Sequence, residues 1–317
     1  MEQSDKRKTM IKVAKLYYYG NMTQDEIAEM MNLSRPKVSR ILTAARQHNI
    51  VQIEIKDPLF SKQEMAEKIQ SHFNLQKVII TDSGQNIDET KNNIGIATTD
   101  FFNTILHDGM NIGIAWGTTL DAFVHRFSTK LNAPNAKIVQ LCGGLYNPTM
   151  HIDGRELAAR FAKKLGCKLD ILQSPLLVRN PALKELFMQE PEAKKHFDLF
   201  KQLDIAFISV GSSNYKDTVL YKVGYTTAED AKKFATHHLI DICGHQIDIN
   251  GYEPLKDLAD RHIGISLKDL KNVPLVVALC AGDKKAQSII SGIRGGYIDA
   301  LIIDEIAAIS LLEAEKL

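Results

Sequence analysis

The sequence predicts an α/β protein in two parts: a small N-terminal all-α domain over 1–57, and a large Rossmann-like α/β domain with a mostly parallel sheet over 58–317. Three observations carry this. Residues 21–46, NMTQDEIAEMMNLSRPKVSRILTAAR, hold two short helical patterns on either side of a tight turn. Beyond residue 75, short apolar runs alternate with helical patterns, the arrangement of parallel strands joined by crossover helices. Asp57-Pro58 breaks the pattern between the two parts. A chain of 317 residues, 44% of them hydrophobic, has the length for two domains and the apolar content for a large core.

The first helix is predicted over 6–19, with Met10, Val13, Ala14 and Tyr17 on one face. Thr23 caps the second, and Glu26 three residues on completes a reciprocal capping box before Ile27, Ala28 and Met31. Asn32 sits at the sharp turn, Ser34 is placed to cap the third helix, and Pro36 stands in its opening turn. Val38, Ile41, Leu42 and Ala45 then point inward, which leaves Arg35, Lys37, Ser39 and Arg40 outside. IVQIEI at 50–55 alternates and reads as a strand.

This is the chemistry of a helix-turn-helix that binds DNA. Arg and Lys neutralise phosphates or donate to guanine edges, and Ser serves backbone or base. The DNA-facing set is Thr23, Gln24, Ser34, Arg35, Lys37, Ser39 and Arg40. Charge is segregated accordingly: the first 56 residues carry 10 Lys and Arg against 6 Asp and Glu, whereas the whole chain carries 39 against 38.

In the large domain the predicted order is helix 61–73, strand 77–82, helix 88–106, strand 110–115, helix 118–128, strand 137–141 and helix 153–165. Strand KLDILQ, the helical stretch 181–200 and strand 204–211 continue it. PLVVALC, DKKAQSIISGIRGG, YIDALIID and EIAAISLLEAEKL close the chain as a βαβα unit. The longest apolar run, 273–282, is about half of a membrane span, and MEQSDKRKTM is no secretory leader, so a cytoplasmic protein without membrane contact is expected. Cys142, Cys167, Cys243 and Cys280 form no CxxC pair, so buried reduced thiols are expected, with no metal and no cofactor.

GIAWGTTLDAF at 113–123 ends a strand in Gly117-Thr118-Thr119, offering backbone amides and two hydroxyls at a helix start, a place that attracts phosphate. A tight strand-to-helix turn without a ligand reads the same way. Two further glycine-marked strand ends favour the ligand. They are QLCGG, with Cys142, Gly143 and Gly144, and the segment beginning GDKK, with Lys284 or Lys285. Asp248 and His245 are candidate partners for the hydroxyls of a polyol.

Taken in order and spacing, LYYYGNMTQDEIAEMMNLSRPKVSRIL, DGMNIGIAWGTTL, VQLCGG, GHQIDINGYEP and AGDKKAQSIISGIRGGYIDALIIDE resemble the SorC family of sugar-responsive bacterial transcription regulators, over essentially the full length. The resemblance implies an effector domain similar to glucosamine-6-phosphate deaminase and ribose-5-phosphate isomerase. It also implies a homotetramer, a dimer of dimers, acting on operator DNA under the control of a sugar or sugar phosphate. On that pattern Gly117, Thr118 and Thr119 hold the phosphate while Lys285 and Asp248 contact the sugar. A family member resembling this chain has a lysine in the QLxGG strand end that forms a Schiff base with its effector. Cys142 stands at that place, so capture as an imine is excluded and a non-covalent effector is expected. The alternative is a sugar-phosphate isomerase or deaminase with an appended N-terminal domain, but no clustered acid–base pair of the needed kind is visible in the sequence.

Overall fold

The computed structural model describes residues 2–48, 50–51, 61–144, 153–211, 221, 224, 229, 234 and 236–317. It divides into two compact units, Met1–Leu59 and Phe60–Leu317. The boundary step Asp57-Pro58 and most of the strand expected at 50–55 lie outside the described residues.

The first unit contains helices α1 (Glu2–Tyr18), α2 (Gln24–Met30) and α3 (Arg35–Gln47). Val13, Ile27, Ala28, Val38 and Leu42 are its buried core, one stripe from each helix. The capping box forms: Glu26 N donates to Thr23 Oγ1 at 3.3 Å and Thr23 N to Glu26 Oε2 at 2.7 Å. The hydrogen bonds that Thr23 N and Thr23 Oγ1 donate to the Glu26 carboxylate hold it below its usual range. Asn32 takes φ 52° at the turn, a left-handed conformation that asparagine tolerates.

Ser34 departs from expectation. It holds the N-cap position of α3, yet its side chain makes no capping hydrogen bond. Pro36 has no N–H to offer, and the Lys37 N–H is taken by the Ser34 carbonyl at 2.9 Å. The exposed hydroxyl is left for another acceptor or donor.

The second unit is built on a seven-stranded, wholly parallel sheet of β1 (Lys77–Thr81), β2 (Asn111–Ile114), β3 (Lys137–Gln140), β4 (Lys168–Asp170), β5 (Ile205–Ile208), β8 (Val276–Cys280) and β9 (Ala300–Asp304). Their order across the sheet is β1-β9-β8-β5-β2-β3-β4. Helix α4 (Lys62–Phe73) leads into β1. Right-handed crossovers place α5 (Ile87–Ile105), α6 (Thr118–Arg126) and α7 (Gly154–Leu165) on one face. Beneath them Phe102, Phe123, Phe127, Phe161 and Phe207 form an aromatic cluster, with Phe123 and Phe207 centroids 4.9 Å apart.

From β2 the chain winds outward through β3 to β4. It then returns to β5, on the other side of β2, and winds the opposite way through β8 to β9. The sheet therefore switches direction between β2 and β5, where an open parallel sheet leaves a crevice at its C-terminal edge.

The stretch 181–200 is two helices, α8 (Pro181–Gln189) and α9 (Pro191–Phe200), because Pro191 opens a new first turn and pushes Glu190 into extended backbone. In KLDILQ only Lys168–Asp170 pairs. Beyond β5 the sequence reading had no elements for 240–271, which contain the antiparallel hairpin β6 (Ile240–Ile242) and β7 (His245–Ile247) and the short helices α10 (Lys256–Arg261) and α11 (Leu267–Lys271). Cys243 at φ 51° and Gly244 at φ 89° turn that hairpin. The chain closes with α12 (Ala286–Arg294) and α13 (Glu305–Ala314) flanking β9.

Candidate effector site and nucleic-acid interface

At the switch point β2 runs through Ala115 and Trp116 into Gly117, the N-cap of α6. Gly117 adopts φ 147°, ψ 153°, which a side chain would strain, and a Cβ there would stand 3.2 Å from the Ser209 side chain just beyond β5. No side chain caps α6. Its opening amides are thus left to a ligand or to water, at the positive end of the helix dipole. Thr118 is exposed and Thr119 is buried, so the two hydroxyls differ in access.

Lys285 belongs to the same edge. It follows β8 in a single 3-10 turn, Asp283–Lys285, where Gly282 takes φ 91° and donates its N–H to Asp304 Oδ1 at 2.7 Å. Lys285 is half-buried and its Nζ donates to Val210 O at 2.7 Å, just past β5, while Lys284 is exposed. The lysine turned to the crevice is therefore Lys285.

The QLCGG strand end behaves differently. Cys142 is buried, with its Sγ 3.2 Å from the Cys243 carbonyl, and burial pushes its thiol well above the usual range. An inert thiol fits a non-covalent site. Gly143 donates to Ile263 O at 3.0 Å and Gly144 to Ser174 O at 2.7 Å, so both amides are used within the fold. A Cβ on Gly143 would meet Pro175 O at 2.4 Å, so close backbone approach explains that glycine.

Asp248 lies in the turn that follows β7. Its Oδ1 accepts from Asn250 N at 2.9 Å and Tyr252 N at 3.0 Å, which closes its own turn. That turn meets the far end of α12: a Cβ on Gly251 would fall 2.2 Å from Gly295 Cα, and Tyr297 Oη donates to Gly251 O. Lys285 precedes the other end of this nine-residue helix. At 1.5 Å per residue, that helix is about 14 Å long. His245 is buried with both ring nitrogens engaged, by Glu253 Oε1 at 2.8 Å and Ile265 O at 2.9 Å, and its ring packs on His262.

The carboxylate that does stand at the crevice is Asp241, on β6. A Cβ on Gly211, three residues beyond β5, would lie 2.7 Å from Asp241 Cβ. Burial raises the Asp241 carboxyl to about 6, against the hydrogen bonds from Gly244 and Gln246 and the charges of His245 and Lys285. A buried acid with a lysine beside it, at strand ends, is suited to gripping hydroxyl groups.

In the first unit Ser34, Arg35, Lys37, Ser39 and Arg40 are all exposed, and Thr23 and Gln24 open α2 beside them. Arg35 Nε lies 3.6 Å from Asp25 Oδ2, tying the starts of α2 and α3 together through a solvent-exposed pair of little energetic weight. Tyr17, Tyr18, Thr23, Gln24, Asp25 and Arg35 line a cleft there.

Two family models match the chain: "Putative sugar-binding domain" over residues 57–313, and "Sigma-70, region 4" over 12–48. Among relatives, the Deoxyribonucleoside regulator of Bacillus subtilis is 26% identical over 314 residues, covering 97% of this chain and 98% of its own. The Sorbitol operon regulator of Klebsiella pneumoniae is 25% identical over 318 residues, covering 99% and 100%. The crystal structure of that full-length regulator, SorC, superposes with a TM-score of 0.74 at 24% identity, over 98% of this chain and 99% of that one. The chain belongs to the SorC family of transcriptional regulators.

In this SorC-family chain the sequence reading singled out the glycine-led start of α6 and Lys285, and it passed over Asp241, Gln246 and Ser209, which the fold places near them. The signal for the first two was present. Ile240-Asp241-Ile242 alternates, Cys243-Gly244 is a two-residue turn, and Gln246 falls opposite Asp241 in the hairpin. Among the described residues no group of His, Cys, Asp or Glu could hold a metal ion, and no helix is long and apolar enough to cross a membrane.

Proposed function

We propose that this chain regulates a carbohydrate or polyol catabolic operon by binding operator DNA through α2 and α3, under the allosteric control of a phosphorylated sugar held non-covalently in the second unit. The observation that carries the reading is the uncapped, glycine-led start of α6 at the sheet's switch point, with Thr118 and Thr119 on it, Lys285 just beyond β8 and Asp241 on the β6–β7 hairpin. The phosphate sits on the α6 amides and the threonine hydroxyls, while Lys285 and Asp241 take the sugar's hydroxyls; Cys142, Gly143 and Gly144 shape the wall. The names of the relatives, a sorbitol operon regulator and a deoxyribonucleoside regulator, support a carbohydrate signal. The working form is a cytoplasmic homotetramer, a dimer of dimers. Apolar side chains exposed on α8 (Leu183, Leu186, Met188) and α13 (Ile306, Ile309) are surface that subunit contacts would cover.

A thermal-shift panel of sugar phosphates and their unphosphorylated parents tests the site, since a ligand of the folded state raises the melting temperature by mass action. Stabilisation by phosphorylated members alone is expected, together with a change in mobility of the protein's own upstream DNA. Equal stabilisation by the unphosphorylated parents would reject a phosphate anchor, and turnover of any panel member would favour the isomerase or deaminase alternative.

A further inference from the structure

Directly paired residues of an antiparallel hairpin project to the same side. Asp241 and Gln246 therefore share one face of the β6–β7 hairpin, and Ile240, Ile242, His245 and Ile247 share the other. The apolar face packs on α12, where a Cβ on Gly292 would lie 3.1 Å from Ile242 Cδ1. The polar face meets Gly211 beyond β5, two residues from the Ser209 that adjoins Gly117. Near neighbours thus lead from the start of α6 through Ser209, Gly211 and Asp241 to Gln246.

Gln246 Nε2 donates to Asp241 Oδ2 at 2.7 Å. Its Oε1 is buried and accepts no hydrogen bond among the described residues, although the side chain is only 1% exposed. Turning the amide over does not help, because Oε1 would then face a carboxylate oxygen and two acceptors would meet. Asp241 also accepts from Gly244 N at 3.2 Å, which fixes the carboxylate that fixes the amide. A buried oxygen that has lost its water and found no donor is an acceptor waiting for one.

We propose that Gln246 determines which sugar the crevice accepts, its Oε1 taking a hydrogen bond from one hydroxyl of the bound effector. The inference rests on the reading of the crevice as a sugar-phosphate site. Its ligand class is narrower: a sugar phosphate bearing a hydroxyl where the chain, anchored by its phosphate on α6, reaches the hairpin. A site built to hydrogen-bond a hydroxyl rejects the analogue without it, because the buried oxygen is again left unpaired.

The test uses the full-length chain and calorimetry with ribose 5-phosphate and glucose 6-phosphate, each against its singly deoxygenated analogues. The native protein should bind one hydroxylated member roughly tenfold or more tighter than the matching deoxy compound. Gln246→Met, similar in length and without the acceptor, should bring that ratio close to one while the weak phosphate-anchored binding persists. Gln246→Leu serves the same purpose should the first variant fail to fold. A native chain that binds every pair equally, or variants that keep the native ratio, would show that Oε1 serves only a buried water and overturn the role of Gln246. If the native chain binds no sugar phosphate at all, the underlying site reading falls, and the role of Gln246 falls with it.

Discussion

Asp241 bears a burial cost that its hydrogen bonds from Gly244 and Gln246 offset only in part. Its carboxyl, raised to about 6 from an ordinary 3.8, binds a proton more tightly in the folded chain than in the unfolded one. The stabilisation linked to that proton is present below pH 3.8 and is lost as pH rises through about 6, leaving a cost of roughly 3 kcal/mol at neutral pH. Asp241→Asn should therefore stabilise the effector-free protein at pH 7, by up to that amount, while weakening the effector. The advantage should shrink as pH falls to 4. His262, whose neutral form burial and His245 favour, acts in the opposite direction as pH falls, but it is common to both proteins and cancels in the difference. Urea titrations of the two at pH 7 and pH 4 check this; an equal offset at both would show that Asp241 does not titrate in this window. At the proposed phosphate site, Thr118→Asp places a carboxylate on the exposed position, away from the packing around Thr119. It should abolish the effector response by like-charge repulsion and leave operator binding intact, as read by mobility shift with and without sugar phosphate.

At the scale of an element, α3 presents Arg35, Lys37 and Arg40 to solvent on one side and Val38, Leu42 and Ala45 to the core on the other. The triple alanine variant removes three cations without touching the buried stripe. Its operator affinity should fall and its salt slope should flatten by up to about three, one for each phosphate that is no longer neutralised. Arg40→Ala alone should cost about 1 to 3 kcal/mol and alter preference at one base pair if it reads a base edge. Titrations at several salt concentrations separate the two effects, and an unchanged slope in the triple variant would remove α3 from the interface. Arg35 should show the smallest single effect, since Asp25 already holds it and part of its gain on DNA goes to breaking that pair.

Across the whole molecule, the consequence of joining a DNA reader to a ligand site is reciprocity. Whatever factor the effector applies to operator affinity, saturating operator must apply to effector affinity. Calorimetry of the sugar phosphate with and without operator DNA measures it directly. Identical affinities would leave DNA geometry or polymerase contact, and not DNA affinity, as the regulated quantity. On the proposed tetramer, the first unit made alone, residues 1–57, should bind operator far more weakly than the full chain and ignore the sugar, because assembly of the second unit would set the spacing of paired reading heads.

The sequence by itself determined what local rules govern. Capping chemistry at Thr23 and Glu26, helical periodicity in α3 and the run of apolar strands were legible because each depends on residues a few positions apart. So was the loop at Gly117, whose glycine is demanded by its own backbone angles. The tertiary structure alone decided which polar groups meet. Asp248 reads in sequence as a candidate sugar ligand, and only the fold shows that its Oδ1 also accepts from Asn250 and Tyr252 within its own turn. Asp241 was passed over, yet the return of the chain from β4 to β5 and the hairpin that follows carry it to the strand ends beside Lys285. The physical reason is range. Pairing across the sheet joins residues separated by a hundred positions or more, as Lys77 and Ala300 are, and desolvation at such a junction follows from the packing of distant segments, which no local pattern encodes.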